Sequence, residues 1–146
     1  MLEDLLSRTY RLINLYNSTG RKPCTYSCGE TLYQAQVHFL ECLYQREGET
    51  ITSLSREMYM TRSAASQTAE LLQKKELITR DDPAGKGGAQ GLYLSEKGLE
   101  VIKEHRKRHS AMIERIGQVW QSLDENTRTA VTKMLDIVEE EIGGLL

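Results

Sequence analysis

The sequence predicts a mainly α-helical protein with one small β-hairpin set among its helices. Three observations carry that expectation. Apolar residues recur at spacings of three and four through most of the chain, and only two prolines interrupt it. A dense run of turn residues, Asp82, Pro83, Gly85, Lys86, Gly87 and Gly88, separates two short β-prone stretches. At 146 residues, 39% hydrophobic and 27% charged, the chain suits one folded domain and excludes a disordered protein, a catalytic barrel or a two-domain nucleotide enzyme. No apolar run approaches the roughly 18 residues of a membrane helix. Three cysteines, Cys24, Cys28 and Cys42, make no disulfide framework, and the N-terminus lacks the order of a secretion signal. A reduced, cytoplasmic protein is expected. With a formal net charge of -2, any affinity for nucleic acid must come from a local surface.

The first helix is read from Leu2, Leu5, Leu6, Thr9, Ile13 and Tyr16, and it ends at Ser18, Thr19 and Gly20. Gly20 to Glu30 reads as an irregular connection. A second helix spans about Thr31 to Arg46, with Leu32, Ala35, Phe39 and Leu43 on its apolar face and His38 and Cys42 one turn apart on another. Two short helices follow around a turn at Tyr59 to Thr61. Ile51, Leu54 and Met58 give the first its apolar side, Ala65, Ala69 and Leu72 the second, and Thr61 is the expected N-cap. Small residues let this pair pack closely, which is the layout of a helix-turn-helix. Leu77 to Thr79 and Gly91 to Leu94 form the hairpin. Ser95 caps a long helix whose stripe is Leu99, Ile102, Arg106, His109, Ile113, Ile116 and Trp120. Asp124 starts a last helix carrying Val131, Met134, Leu135, Val138, Ile142 and Leu145.

A helix-turn-helix followed directly by a β-hairpin is a winged arrangement. Its second helix enters the major groove of DNA, and the hairpin tip lies over the backbone or the minor groove. Ser63, Ser66 and Gln67 are the expected base readers. Arg62, Arg80 and Lys86 are placed for phosphate or the minor groove, where positive charge matters more than geometry. The near balance of Arg56, Arg62, Lys74, Lys75, Arg80 and Lys86 against Glu57, Glu70, Glu76, Asp81 and Asp82 keeps a protein-binding winged helix as an alternative.

Four stretches, 50–61, 61–78, the wing opening Arg80-Asp81-Asp82-Pro83, and Leu92 to Gly98, resemble the MarR family of bacterial transcription regulators, and the likeness extends over nearly the whole chain. The resemblance implies a winged helix-turn-helix with N- and C-terminal helices that interlock two subunits. It divides the chain into 1–47 for dimerisation and sensing, 48–95 for the DNA-binding lobe, and 96–146 for the long helix and C-terminal dimerisation helix. Three departures stand out. Gly85-Lys86-Gly87-Gly88 replaces the Asp-Arg-Arg cluster usual after the wing proline, leaving Lys86 as the substitute cation. Tyr59 and Glu76 occupy positions where glycine is common.

His105 and His109, four apart on one helix, can turn their rings toward one point, as a two-ligand metal site requires, and they interrupt an apolar stripe. The stretches Gln36 to Leu40 and Glu104 to His109 resemble the zinc-sensing branch of the MarR family. That likeness implies Zn2+ held by His38, His105 and His109, with a fourth ligand from the connection before the second helix, where Cys24, Cys28 and Glu30 stand. Cys42 is a further candidate. Val37 stands where that branch has a glutamate, so a second metal site is not expected.

The expected protein is therefore a homodimeric repressor of MarR type. It binds a pseudo-palindromic double-stranded operator, is controlled by a small effector, and is not an enzyme. Zn2+ is the leading effector. The alternatives are a small aromatic compound received among Tyr10, Tyr16, Tyr26, Tyr33 and Tyr44, or oxidation of Cys24 and Cys28 beside Arg21 and Lys22. A metal-dependent hydrolase is the reading from another class, without a nucleophile motif or phosphate loop to support it.

Overall fold

The computed structural model describes residues 1–81 and 90–144, so the wing tip, with Lys86, and Leu145 lie outside the described residues. The chain forms two compact units, Met1–Glu104 and His105–Leu146.

The first unit begins with α1 (Leu2–Thr19), then β1 (Cys24–Thr25), β2 (Thr31–Leu32) and α2 (Gln34–Gln45). The connection read as irregular thus contains a short hairpin, with Cys24 opposite Leu32 and Thr25 opposite Thr31. Next come α3 (Ile51–Glu57), α4 (Arg62–Lys74), β3 (Ile78–Asp81) and β4 (Gly91–Leu94). Thr50 and Thr61 cap α3 and α4, their hydroxyls accepting the Ser53 N–H at 3.2 Å and the Ala64 N–H at 3.1 Å. β3 and β4 pair antiparallel from Ile78 opposite Leu94 to Asp81 opposite Gly91. A third chain segment joins this sheet. The Gly48 N–H donates to the Leu92 carbonyl at 2.9 Å and the Leu92 N–H to the Glu49 carbonyl at 3.0 Å, so the link between α2 and α3 pairs with β4. A Cβ on Gly91 would stand 2.8 Å from the Gly48 carbonyl oxygen, which explains glycine at that crossing.

The core of this unit gathers Val37, Phe39, Leu40 and Leu43 of α2 with Leu54, Ala65, Ala69, Leu72, Leu77, Ile78 and Leu92. Val101 and Ile102, from the start of α5 (Glu96–Ser122), complete it. The expected apolar face of α2 is shifted: Ala35 is exposed, while Val37 and Leu40 are buried. The helix starts only at Gln34, after Leu32 has been spent on β2. Ser95 caps α5 as expected, its Oγ accepting the Gly98 N–H at 3.0 Å.

Two helix ends in this unit share one device. After α3 the Met60 N–H reaches the Ser55 carbonyl and the Tyr59 N–H that of Arg56. After α4 the Leu77 N–H reaches Leu72 and the Glu76 N–H reaches Gln73. This double return is a Schellman turn, whose middle residue must be left-handed. Tyr59 (φ 49°) and Glu76 (φ 59°) are the two non-glycine residues at positive φ among the described residues. They are also the two positions where the MarR resemblance leads one to expect glycine. Glu76→Gly is therefore expected to raise the unfolding free energy by about 0.5–1 kcal/mol, the relief of left-handed strain less the added entropy of the unfolded chain. An unchanged or lower denaturation midpoint would show that Glu76 has compensating contacts.

The second unit is the remainder of α5 with α6 (Glu125–Gly143). Asp124 caps α6, accepting the Thr127 N–H at 2.9 Å, and this bond holds its carboxyl below the usual range. Arg128 turns back to bond the carbonyls of Trp120 at 3.0 Å and Gln121 at 3.1 Å, closing the end of α5.

Candidate nucleic-acid interface and sensor residues

The α3–turn–α4 pair buries Leu54, Ala65, Ala69 and Leu72, which fixes the opposite side of α4 outward. Arg62, Ser63 and Gln67 are exposed at the N-terminal end of α4, where short polar side chains and backbone N–H groups favour an anionic partner. Ser66 is half-buried, and its hydroxyl donates to Glu70 at 3.3 Å. Arg80 lies on β3 opposite Leu92. Its Nε and Nη2 are shielded from solvent and have no hydrogen-bond partner among the described residues. Lys86 cannot be placed with them, because it lies outside the described residues.

The candidate metal ligands fall in three places. His105 and His109 do come together, with ring centroids 4.6 Å apart and an edge-to-face tilt of 64°. They are not a buried pair in an apolar seam, however. His109 is exposed and His105 half-buried. On α2, His38 is half-buried and bonded through Nδ1 to the Tyr16 hydroxyl at 2.6 Å. Partial desolvation of the Tyr16 hydroxyl pushes its pKa up, so the phenol stays protonated at neutral pH. The phenol can either donate to Nδ1 or accept from it; only in the tautomer whose Nδ1–H donates to the phenol oxygen is the Nε2 lone pair left to serve as a ligand. Sequence reasoning grouped Tyr16 with other tyrosines and missed this contact; its i-to-helix pairing has no sequence signal.

In the β1–β2 hairpin, Cys24 and Cys28 are half-buried against the core. Glu30 is fully engaged. Its Oε2 receives Lys75 Nζ at 2.7 Å and its Oε1 receives Lys97 Nζ at 2.7 Å, and these bonds hold its carboxyl below the usual range. A metal ion would have to displace two ammonium groups to use it. Cys42 is half-buried, and burial pushes its thiol pKa up, the wrong direction for a reactive thiolate. Among the described residues, no three His, Cys, Asp or Glu side chains cluster closely enough to hold a metal ion. Of the tyrosines, Tyr26 is buried, while Tyr10, Tyr16, Tyr33 and Tyr44 are exposed.

Two helical faces remain uncovered. α1 has no buried residue and exposes Leu2, Leu5, Leu6, Leu12 and Leu15. In the second unit, Met112, Ile113, Ile116 and Val119 of α5 and Met134, Leu135 and Ile142 of α6 are exposed. Apolar exposure on this scale marks a protein interface. No helix among the described residues is long and apolar enough to cross a membrane.

Two short helices in this turn geometry, a two-stranded hairpin and a third strand-like pairing define a winged helix-turn-helix protein. The MarR family model matches residues 32–84, the stretch that holds the helix-turn-helix and β3. Curated protein sequences give no match. Among solved structures, the chain is similar to a zinc-responsive MarR family member, Lactococcus lactis ZitR, at 18% identity and TM-score 0.63, covering 97% of this chain and 99% of that one. Adhesin competence repressor (AdcR) from Streptococcus pyogenes is similar at 18% identity and TM-score 0.69, with 98% of each chain covered. Streptococcus pneumoniae FabT in complex with DNA matches at 18% identity and TM-score 0.65, over 99% of this chain and 97% of that one. At these identities the likeness establishes the fold over the whole chain.

Proposed function

We propose that this protein is a cytoplasmic, dimeric DNA-binding transcription regulator, acting as an effector-controlled repressor rather than an enzyme. The observation that carries this reading is the exposed N-terminal end of α4, with Arg62, Ser63 and Gln67 outward, in a segment of MarR-family sequence. Structures of ZitR and FabT with DNA, similar in fold, support it. Two copies related by a two-fold axis would present two such helices to a pseudo-palindromic duplex. Arg62 and Lys86 would supply phosphate contacts, as would Arg80 once its shielded guanidinium turns outward, and Ser63, Ser66 and Gln67 would read bases. Ser66 must exchange its bond to Glu70 to do so. The test is a titration of the purified protein against the duplex upstream of its own coding sequence at several salt concentrations. Affinity is expected to fall steeply with salt, and Arg62→Ala should lower the slope of log K against log salt by about 1. A salt-independent affinity, or none, overturns the DNA reading in favour of a protein partner.

For the effector, the His105–His109 pair favours Zn2+, with His38 as third ligand and Cys24 or Cys28 as fourth. Three imidazoles and a thiolate are an ordinary tetrahedral set for this ion. Glu30, already held by two lysines, is the least apt of the candidates. The zinc-responsive character of ZitR, similar in fold, supports the choice. Bound there, Zn2+ would supply a cross-link between α2 and α5 and no chemistry. The wild-type protein is expected to retain about one equivalent of Zn2+ per subunit after dialysis, and His105→Ala/His109→Ala far less. Equal retention by the two proteins sinks the assignment.

A further inference from the structure

Glu30 occupies a position in the fold that neither DNA contact nor metal ligation explains. It closes the turn of the β1–β2 hairpin, where its carbonyl accepts the Tyr26 N–H at 2.9 Å. Its carboxylate leaves the hairpin altogether. One oxygen takes Lys75 Nζ from the C-cap of α4, and the other takes Lys97 Nζ from the first turn of α5. The two ammonium groups are in turn tied to backbone. Lys97 Nζ also donates to the Lys75 carbonyl at 3.0 Å, and Lys75 Nζ approaches the Thr31 carbonyl at 3.5 Å. All three side chains are partly shielded, so the attraction is less screened than that of a surface pair.

The place where these bonds land is the end of the recognition helix. Lys75 precedes the left-handed Glu76, and Ser95 braces the same turn: its Oγ donates to the Glu76 carbonyl at 2.6 Å and its N–H to the Leu77 carbonyl at 3.0 Å. Two cations at this end also oppose the negative pole of the α4 dipole. The other side of the hairpin is anchored as well, the Ser27 N–H donating to Glu104 of α5 at 2.8 Å.

We propose that Glu30 is a positioning residue that latches the β1–β2 hairpin to the C-terminal end of α4, so that hairpin and recognition helix open and close together. The proposal rests on the regulator reading for its use: an effector that moves the hairpin cysteines would move α4 without touching the base readers. The structural coupling itself is independent of that reading. Glu30 then acts by holding Lys75 and Lys97 in place, and the rigid unit it makes includes the helix that faces DNA.

Hydrogen exchange on the full chain, with neither DNA nor Zn2+ added, tests the latch. Glu30→Gln keeps the shape of the side chain and removes its charge. It is expected to speed amide exchange by about tenfold both at residues 24–32 and at residues 75–77, whose N–H groups bond Leu71, Gln73 and Leu72. Lys75→Met should produce the same two-site acceleration, and the double variant should be no faster than either single one. Lys74→Met, on the neighbouring exposed lysine, should leave both regions unchanged. If Glu30→Gln does not fold, Glu30→Asp, which retains charge at shorter reach, is expected to accelerate the same two regions to a smaller degree. Acceleration confined to the hairpin for the Glu30 variants and to 75–77 for Lys75→Met, or effects that multiply in the double variant, overturns the proposal. DNA titration is a separate measurement, so loss of the regulator reading and loss of the latch are distinguishable results.

Discussion

Gly98→Ala is expected to destabilise the protein by about 3 kcal/mol or more, a loss at the upper end for adding one methyl group. A Cβ built on Gly98 would overlap the Leu77 carbonyl oxygen, far inside van der Waals contact, and stand 3.3 Å from Leu94 Cδ2. The oxygen cannot yield, because it belongs to the backbone and already accepts the Ser95 N–H. Gly98 itself donates its N–H to Ser95 Oγ, so retreating from the clash would uncap α5. Either movement separates β3 from the start of α5, where Val101 and Ile102 enter the core. Denaturant unfolding of Gly98→Ala beside Gly117→Ala provides the comparison. Gly117 also lies on α5, but a Cβ there meets nothing within 4 Å, and alanine is expected to stabilise the helix by about 1 kcal/mol. A loss below about 1 kcal/mol at Gly98 would mean that α5 can slide away from β3 at little cost.

The same glycine shows what sequence could and could not disclose. Ser95 as a cap, Gly98 three residues later and the preceding Leu92 to Leu94 strand were legible as a unit, since capping and alternation are local properties. Thr61 and Asp124 were legible as caps for that reason. Local rules also located the helix-turn-helix: Ala65 and Ala69 are small because α3 packs against them. What escaped was whatever depended on partners distant in the chain. Two-residue strands such as β1 and β2 are too short for any period, and the pairing of Gly48 and Glu49 with β4 involves residues with no β preference. No local signal marks Lys75 and Lys97 as partners of Glu30, a metal-ligand candidate through the likeness to the zinc-sensing branch; the fold alone brings the three together.

Periodicity has a second limit, seen along α5. The stripe from Leu99 to Trp120 is regular throughout, yet the chain buries only its beginning. A period of three and four says that one side of a helix meets apolar surface; it does not say whether that surface belongs to the same chain. Arg106 and His109 lie on a stretch whose apolar neighbours, Ile113 and Ile116, are themselves more than half exposed.

Leu12→Glu/Leu15→Glu should convert a dimer to monomers and lower affinity for a two-site duplex by about 100-fold or more, through loss of the second half-site contact. Both leucines are more than 60% exposed in the single chain, at 66% and 61%, and α1 contributes no buried residue to the core formed by α2, α3, α4 and the sheet. Folding of that core therefore does not need them, whereas the proposed dimer would bury them against a second copy. By two-fold symmetry each substitution enters the interface twice, so carboxylates must be desolvated in pairs or the subunits separate. Sedimentation velocity at micromolar protein would read the change in mass, and the near-ultraviolet spectrum of the tyrosines would check that the core survives. A variant that stays dimeric removes α1 from the interface and transfers the role to the exposed faces of α5 and α6. A monomer that keeps the wild-type affinity removes the need for two half-sites, and with it the proposed pseudo-palindromic operator. A monomer that still binds weakly, with its affinity still falling as salt rises, is the outcome the structure leads one to expect. Arg62, Ser63 and Gln67 belong to a lobe whose core takes no buried residue from α1, and what a second subunit would add is effective concentration rather than a better contact.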